Sequence, residues 1–175
     1  MDALEQALKL DIRKKIYGLI KKNPGLHFRE LQRRVGIATG ALQYHLEYLQ
    51  KKHLVKTERE TKFLRYYLVR ADFEETDLMA LLRQESMRKI IVFLMQKRFA
   101  TIPSISRDIN LSPSTTSWHL DKLFEKKVVE KNRRGKKTFF KLIDKQKIAT
   151  LLVNYRKSFL DVVVDNFVEI WEEEL

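Results

Sequence analysis

Residues 36–55 read Gly-Ile-Ala-Thr-Gly-Ala-Leu-Gln-Tyr-His-Leu-Glu-Tyr-Leu-Gln-Lys-Lys-His-Leu-Val, and residues 111–129 read Leu-Ser-Pro-Ser-Thr-Thr-Ser-Trp-His-Leu-Asp-Lys-Leu-Phe-Glu-Lys-Lys-Val-Val. Leu42, Leu46 and Leu49 recur at helical spacing in the first, and Thr116, Leu120 and Leu123 in the second. Spacings of three and four residues put these side chains on one helical face and predict a buried stripe. Gly36 stands ahead of the first helix and Asn110 ahead of the second. These two residue types most readily adopt positive φ, which a tight turn between two helices requires.

The likeness extends outward from these stretches. Residues 13–62 align with residues 87–136 without a gap. Lys15, Ile16, Arg33, His45, Leu46, Leu49, Lys52, Val55, Arg59 and Lys62 fall on Lys89, Ile90, Arg107, His119, Leu120, Leu123, Lys126, Val129, Arg133 and Lys136. A repeat this long is one folded unit used twice. In the first unit, residues 11–22 carry Ile12, Ile16, Leu19 and Ile20 on one face and stop at Asn23-Pro24-Gly25, where proline cannot continue a helix. Leu26 and His27 read as a short extended pair. Phe28 to Val35 and Thr39 to Lys52 read as two further helices, and 54–59 and 64–70 as strands rich in Val, Thr, Tyr and Leu. In the second unit Ile90, Phe93 and Leu94 face inward, Thr101 is the expected N-cap of a helix anchored by Ile105 and Ile109, and Ser112 caps the next helix with Pro113 at its first position. Strands at 127–133 and 137–143 flank Arg134-Gly135-Lys136.

The chain has 175 residues and no cysteine, which excludes a disulfide framework and a thiolate metal site. Charged residues rather than an apolar core follow Met1, and no apolar run approaches membrane-spanning length. A cytoplasmic, nucleoid-associated protein without membrane contact is expected. The net charge is +12, and from Ser158 to Leu175 there are six acids and no Lys or Arg. The preceding residues are therefore more basic still, which favours an anionic polymer as partner. No nucleophile–base–acid set or phosphate-cradling glycine loop is present among the five glycines, so no enzyme and no cofactor is expected. His27, His45, His53 and His119 lack partner carboxylates at ligand spacing, so no metal is expected, and His45 and His119 read as structural, donating to backbone or packing beside the helix.

The order helix, short strand, helix, tight turn, helix, two-stranded hairpin resembles a winged helix-turn-helix. The His-Leu-x-x-Leu-x-x-x-x-Leu/Val-Val signature at 45–55 and 119–129 carries the resemblance, which covers residues 11–145. It is closest to archaeal and bacterial transcription regulators of the ArsR/MarR-like winged-helix superfamily, here as an archaeal-type tandem; the cysteines of metal-sensing ArsR proteins are missing. The implied fold is mainly α with small β-hairpin wings (α+β). The implied domains are 1–70 with a short N-terminal helix, a helical linker at 71–86, 87–145, and a long amphipathic C-terminal helix with an acidic end at 146–175. Thr76 or Asp77 is expected to cap a linker helix carrying Leu78, Leu81 and Leu82.

By this resemblance the third helix of each unit enters the major groove of double-stranded DNA. Its exposed face offers Thr39, Gly40, Ala41, Gln43 and Tyr44 in the first unit, and Ser114, Thr115, Ser117, Trp118 and Lys122 in the second. Gln43 suits bidentate pairing with adenine. Tyr44 and Trp118 either touch DNA or pack on the neighbouring helix. The wings supply phosphate contacts through Lys131, Arg133, Arg134, Lys136 and Lys137 in the second unit, and through Arg59, Lys62 and Arg65 in the first. Arg29, Arg33, Arg34 and Arg107 add backbone contacts. On the C-terminal helix Ile148, Leu152, Tyr155, Phe159, Val163, Phe167, Ile170 and Trp171 form a stripe. Tyr155, Phe159, Phe167 and Trp171 are expected to meet a second copy or a transcription-machinery protein, the alternative being that the helix covers its own domains. The expected function is a sequence-specific, double-stranded DNA-binding transcription regulator acting at promoters through both units. The alternative is a winged-helix interaction subunit of the transcription or chromosome machinery.

Overall fold

A computed structural model gives the structure of residues 3–7, 9–60 and 62–173. Thr61 of the first hairpin loop and Glu174 of the acidic end lie outside the described residues. The chain divides into two compact units, one running to Ala80 and the other starting at Leu81.

The first unit comprises α1 (Ala3–Ala7), α2 (Asp11–Lys22), β1 (Leu26–His27), α3 (Phe28–Val35), α4 (Thr39–Lys51), β2 (Val55–Glu60) and β3 (Phe63–Leu68). Its sheet has the order β1-β3-β2, all antiparallel. Ile16, Ile20, Leu31, Leu42, Leu46 and Leu49 meet in one core, so the predicted inward stripes of α2 and α4 are buried together with Leu31 of α3. α3 starts with a capping box: the Glu30 amide donates to His27 Nδ1, and the His27 amide donates to Glu30. α5 (Phe73–Leu82) follows and spans the division between the units.

The second unit comprises α6 (Glu85–Gln96), α7 (Ile102–Ile109), α8 (Pro113–Glu125), β4 (Val129–Arg134) and β5 (Lys137–Leu142), then α9 (Lys145–Asn154), α10 (Arg156–Phe159) and α11 (Val162–Glu173). The duplication extends to the backbone of the turns. Gly36 and Asn110 both sit in the left-handed region, at φ 76° and 55°, and each closes its helix to the carbonyl four residues back. His53 and Lys127 are a second left-handed pair, at φ 53° and 56°, each amide bonding the carbonyl three residues back, and residue type does not signal them. The Leu26–Tyr66 pairing of β1 and β3 returns as a bridge between Ala100 and Phe140. Ser112 caps α8 by accepting from the Thr115 amide.

Three expectations are corrected. The helix expected at 146–174 is broken at Tyr155 and again at Leu160-Asp161, where Leu160 adopts φ 53°. Distant partners hold the second break: Arg88 Nε donates to Asp161 Oδ2 at 2.6 Å, and Arg83 donates to the Ser158 carbonyl at 2.9 Å and to its hydroxyl. α11 then folds back onto α9 and α6. The break also shifts the helical phase, so Val164, Phe167 and Val168 are buried while Val163 and Ile170 are exposed. Thr76 and Asp77 lie inside α5 rather than capping it; Asp72 Oδ1 accepts from the Glu74 amide instead. Thr101 occupies the N-cap position of α7 but its side chain makes no cap bond. Within the stretch 71–86, α5 is helical and the unit division falls after Ala80.

Candidate nucleic-acid interface

The exposed faces of α4 and α8 follow from their buried stripes. With Leu42, Leu46 and Leu49 turned inward, Thr39, Gly40, Ala41, Gln43 and Tyr44 are left in solvent. On α8, Ser114, Thr115 and Trp118 are exposed and Ser117 and Lys122 are half-buried. Several of these groups are already engaged. Thr39 accepts from Gln32 at 2.8 Å, Gln43 donates to Glu47 at 3.0 Å, and the Ser112 hydroxyl joins Ser114 and Thr115 at 3.0 and 2.8 Å. Tyr44 and Trp118 do not pack on a neighbouring helix. They are 60% and 58% exposed, and each meets the next residue's imidazole edge-on.

The second wing is a two-residue hairpin in which Gly135, at φ 59°, provides the positive φ that such a turn requires. Alternation along β4 and β5 splits its cations between two faces. Lys131 lies on the α8 side, 4.3 Å from the Phe124 ring centroid and 3.9 Å from Asp121. Arg134 lies on the other side, 5.6 Å from the Phe99 ring centroid. Lys131, Arg133, Arg134, Lys136 and Lys137 are all exposed, and the Lys136 and Lys137 side chains have no ion pair or hydrogen bond among the described residues. The outer face also brings in Arg98, Phe99 and Phe139 around a hollow of about 440 Å³. Sequence reasoning missed Arg98 and Phe99 because the repeat sets them opposite Pro24 and Gly25, which carry no charge or aromatic ring to compare.

The first wing is different. Arg59 and Lys62 are exposed beside a groove of about 700 Å³ between α4 and the wing, which Arg29, Leu46, Leu64 and Tyr66 also line. Arg65, expected to reach phosphate, is 6% exposed. Its Nε donates to Glu60 Oε2 at 2.8 Å and its Nη1 to the Gly25 carbonyl at 2.8 Å, so its charge is spent inside the fold. Arg34 likewise donates to Asn23 Oδ1 at 2.7 Å, whereas Arg29, Arg33 and Arg107 are exposed.

Phe159 and Phe167, expected to face a partner, are 8% and 4% exposed and buried within the second unit. Tyr155 and Trp171 are half-buried, Trp171 lying 5.6 Å from the Phe167 ring. The acids near them are committed too: Arg156 bonds Asp165 at 2.6 Å and Glu169 at 2.8 Å. His45 and His119 do not donate from Nδ1, which is buried without a partner in both. Burial, and then Arg13 beside His45 and Lys122 beside His119, holds both imidazoles below the ordinary histidine range. Among the described residues no helix is long and apolar enough to cross a membrane.

Residues 10–81 match a family described as an N-terminal HTH (helix-turn-helix) domain, and residues 83–130 match a winged helix-turn-helix DNA-binding family. Over 136 residues, 78% of its length, the chain is 33% identical to an uncharacterised HTH-type transcriptional regulator of Methanocaldococcus jannaschii. The matched part is 34% of that protein, so the chain spans about a third of the length of this curated relative.

Proposed function

We propose that this chain, a tandem winged helix-turn-helix protein, binds double-stranded DNA sequence-specifically at promoters and regulates transcription through both units. The observation that carries this reading is the second wing, whose five exposed cations stand beside an open recognition helix. Phosphate neutralisation by such a wing releases condensed counterions and makes affinity strongly dependent on salt. The matched DNA-binding family and the regulator named above support the same reading.

The test is a titration of the full chain with duplex and single-stranded DNA of mixed sequence at two salt concentrations. Duplex binding that weakens steeply with salt is expected. In the variant R133A/R134A/K136A/K137A the slope of log K against log salt should shrink by about 0.9 for each phosphate no longer neutralised. Duplex affinity that is absent, or indifferent to salt and to these substitutions, overturns the reading.

A second reading, assembly with another copy or a transcription-machinery protein, draws on Leu160, Val162 and Ile170, which are 80%, 71% and 50% exposed. It predicts a solution mass above that of one chain, or a captured partner, that Val162→Asp with Ile170→Asp abolishes.

A further inference from the structure

Tyr44 and Trp118 are repeat partners, and each is the sixth residue of its recognition helix. Their rings share one kind of edge-on contact, and Lys122 Nζ also lies 5.8 Å from the Trp118 ring centroid. Tyr44 meets His45 at a centroid distance of 5.3 Å and an interplanar angle of 66°, and Trp118 meets His119 at 4.9 Å and 68°. Both imidazoles have a buried Nδ1 without a partner, and each stands edge-on to the aromatic ring before it.

The helix surface around each ring is low. A helical side chain leans over the residues three and four positions before it. For Tyr44 these are Ala41 and Gly40, and a Cβ added at Gly40 would meet open space. For Trp118 they are Thr115 and Ser114, both short and bonded to Ser112. The ring is therefore the tallest group on the part of the helix that meets base edges when such a helix enters the major groove. Gln43, the long polar side chain next to Tyr44, has its amide on Glu47.

An exposed ring on that face favours one base. In the major groove the C5 methyl of thymine is the only apolar group, whereas every other base edge presents donors or acceptors. A ring set against those would take water from them and return no hydrogen bond. We propose that Tyr44 and Trp118 are the base-reading residues of the two units, and that each recognises the C5 methyl of a thymine. This rests on the double-stranded DNA reading above.

The experiment uses the full chain. Preferred duplexes are selected from a random pool, then resynthesised with deoxyuridine for thymidine, one position at a time. The exchange removes the methyl and leaves base pairing and phosphate charge unchanged. A loss of about four-fold is expected at one thymine per unit, the size of burying one methyl-sized group. Tyr44→Ala should abolish the loss at one position and Trp118→Ala at the other, while Tyr44→Phe should keep it; circular dichroism of each variant confirms that the fold is intact. Equal affinity for thymidine and deoxyuridine duplexes, or alanine variants that retain the full discrimination, overturns the inference and leaves DNA binding standing. No binding to any duplex overturns both.

Discussion

Arg65 and Arg59 stand six residues apart on paired strands and have opposite roles. Arg65 is buried between Glu60 and the Gly25 carbonyl, and Arg59 is in solvent at the mouth of the α4–wing groove. Removing one member of a buried pair leaves an uncompensated charge. Arg65→Ala is accordingly expected to lower unfolding free energy by roughly 3 kcal/mol, a value typical of such breaks. Arg59→Ala should leave stability within about 0.5 kcal/mol, as surface changes do, and weaken duplex binding. Urea denaturation and DNA titration of both variants separate the roles. The histidines add a pH dependence. His45 and His119 titrate below 6.5 in the fold because burial disfavours the charged imidazolium. As the pH falls through about 6.5 the unfolded chain takes up protons that the fold refuses, so their contribution to stability is complete above that pH and is lost on acidification. The urea midpoint should hold above neutrality and decline toward pH 5. The variant H45Q/H119Q should decline less, and an identical decline would show that other groups are responsible.

The turns between helices depend on backbone tolerance rather than on side-chain contacts. Gly36 sits at φ 76° with open space where a Cβ would lie, so Gly36→Ala meets no clash and bears only the left-handed backbone penalty, about 1 kcal/mol. Asn110→Gly should be neutral or slightly stabilising, and Asn110→Ala should cost about as much as Gly36→Ala. Leu160 is the informative contrast. It adopts φ 53° while 80% exposed, held there by the Arg88–Asp161 and Arg83–Ser158 bonds on either side. Leu160→Gly should therefore raise the thermal midpoint, and a drop would mean that the leucine side chain contributes to the corner.

Across both units the cationic surface is uneven. The second wing displays five exposed cations, whereas the first displays Arg59 and Lys62 because Arg65 is internal. If both units bind one duplex, each exposed cation that meets a phosphate adds about 0.9 to the salt slope. R59Q/K62Q should thus reduce the slope by less than the four substitutions in the second wing. Equal reductions would indicate that the first unit recruits cations from elsewhere, with Arg29 and Arg33 the nearest exposed candidates on α3. Three of the C-terminal acids, Asp161, Asp165 and Glu169, are already bonded to Arg88 and Arg156.

Within the two repeats the helices, the turns at Gly36 and Asn110 and the hairpins were legible from order alone, because their causes are local. A stripe such as Leu42, Leu46 and Leu49, a positive-φ residue such as Gly36 or Asn110, and a cap such as Ser112 each act within a few positions, and the duplication states the stripe and the turn twice, whereas Ser112 stands opposite Ala38, which has no capping side chain. The exposed faces of α4 and α8 were legible for the same reason, as what remains once a stripe is buried. The fate of long charged side chains was not. Arg65 bonds a carbonyl 40 residues away and Arg88 a carboxylate 73 residues away, and only the assembled fold brings those acceptors within reach. The Arg88 bond also stands at the break in the C-terminal helix, beyond which Phe167 is turned inward. Such distant bonds decide which cations remain for a partner, because a guanidinium bonds to whatever acceptor the packing sets beside it.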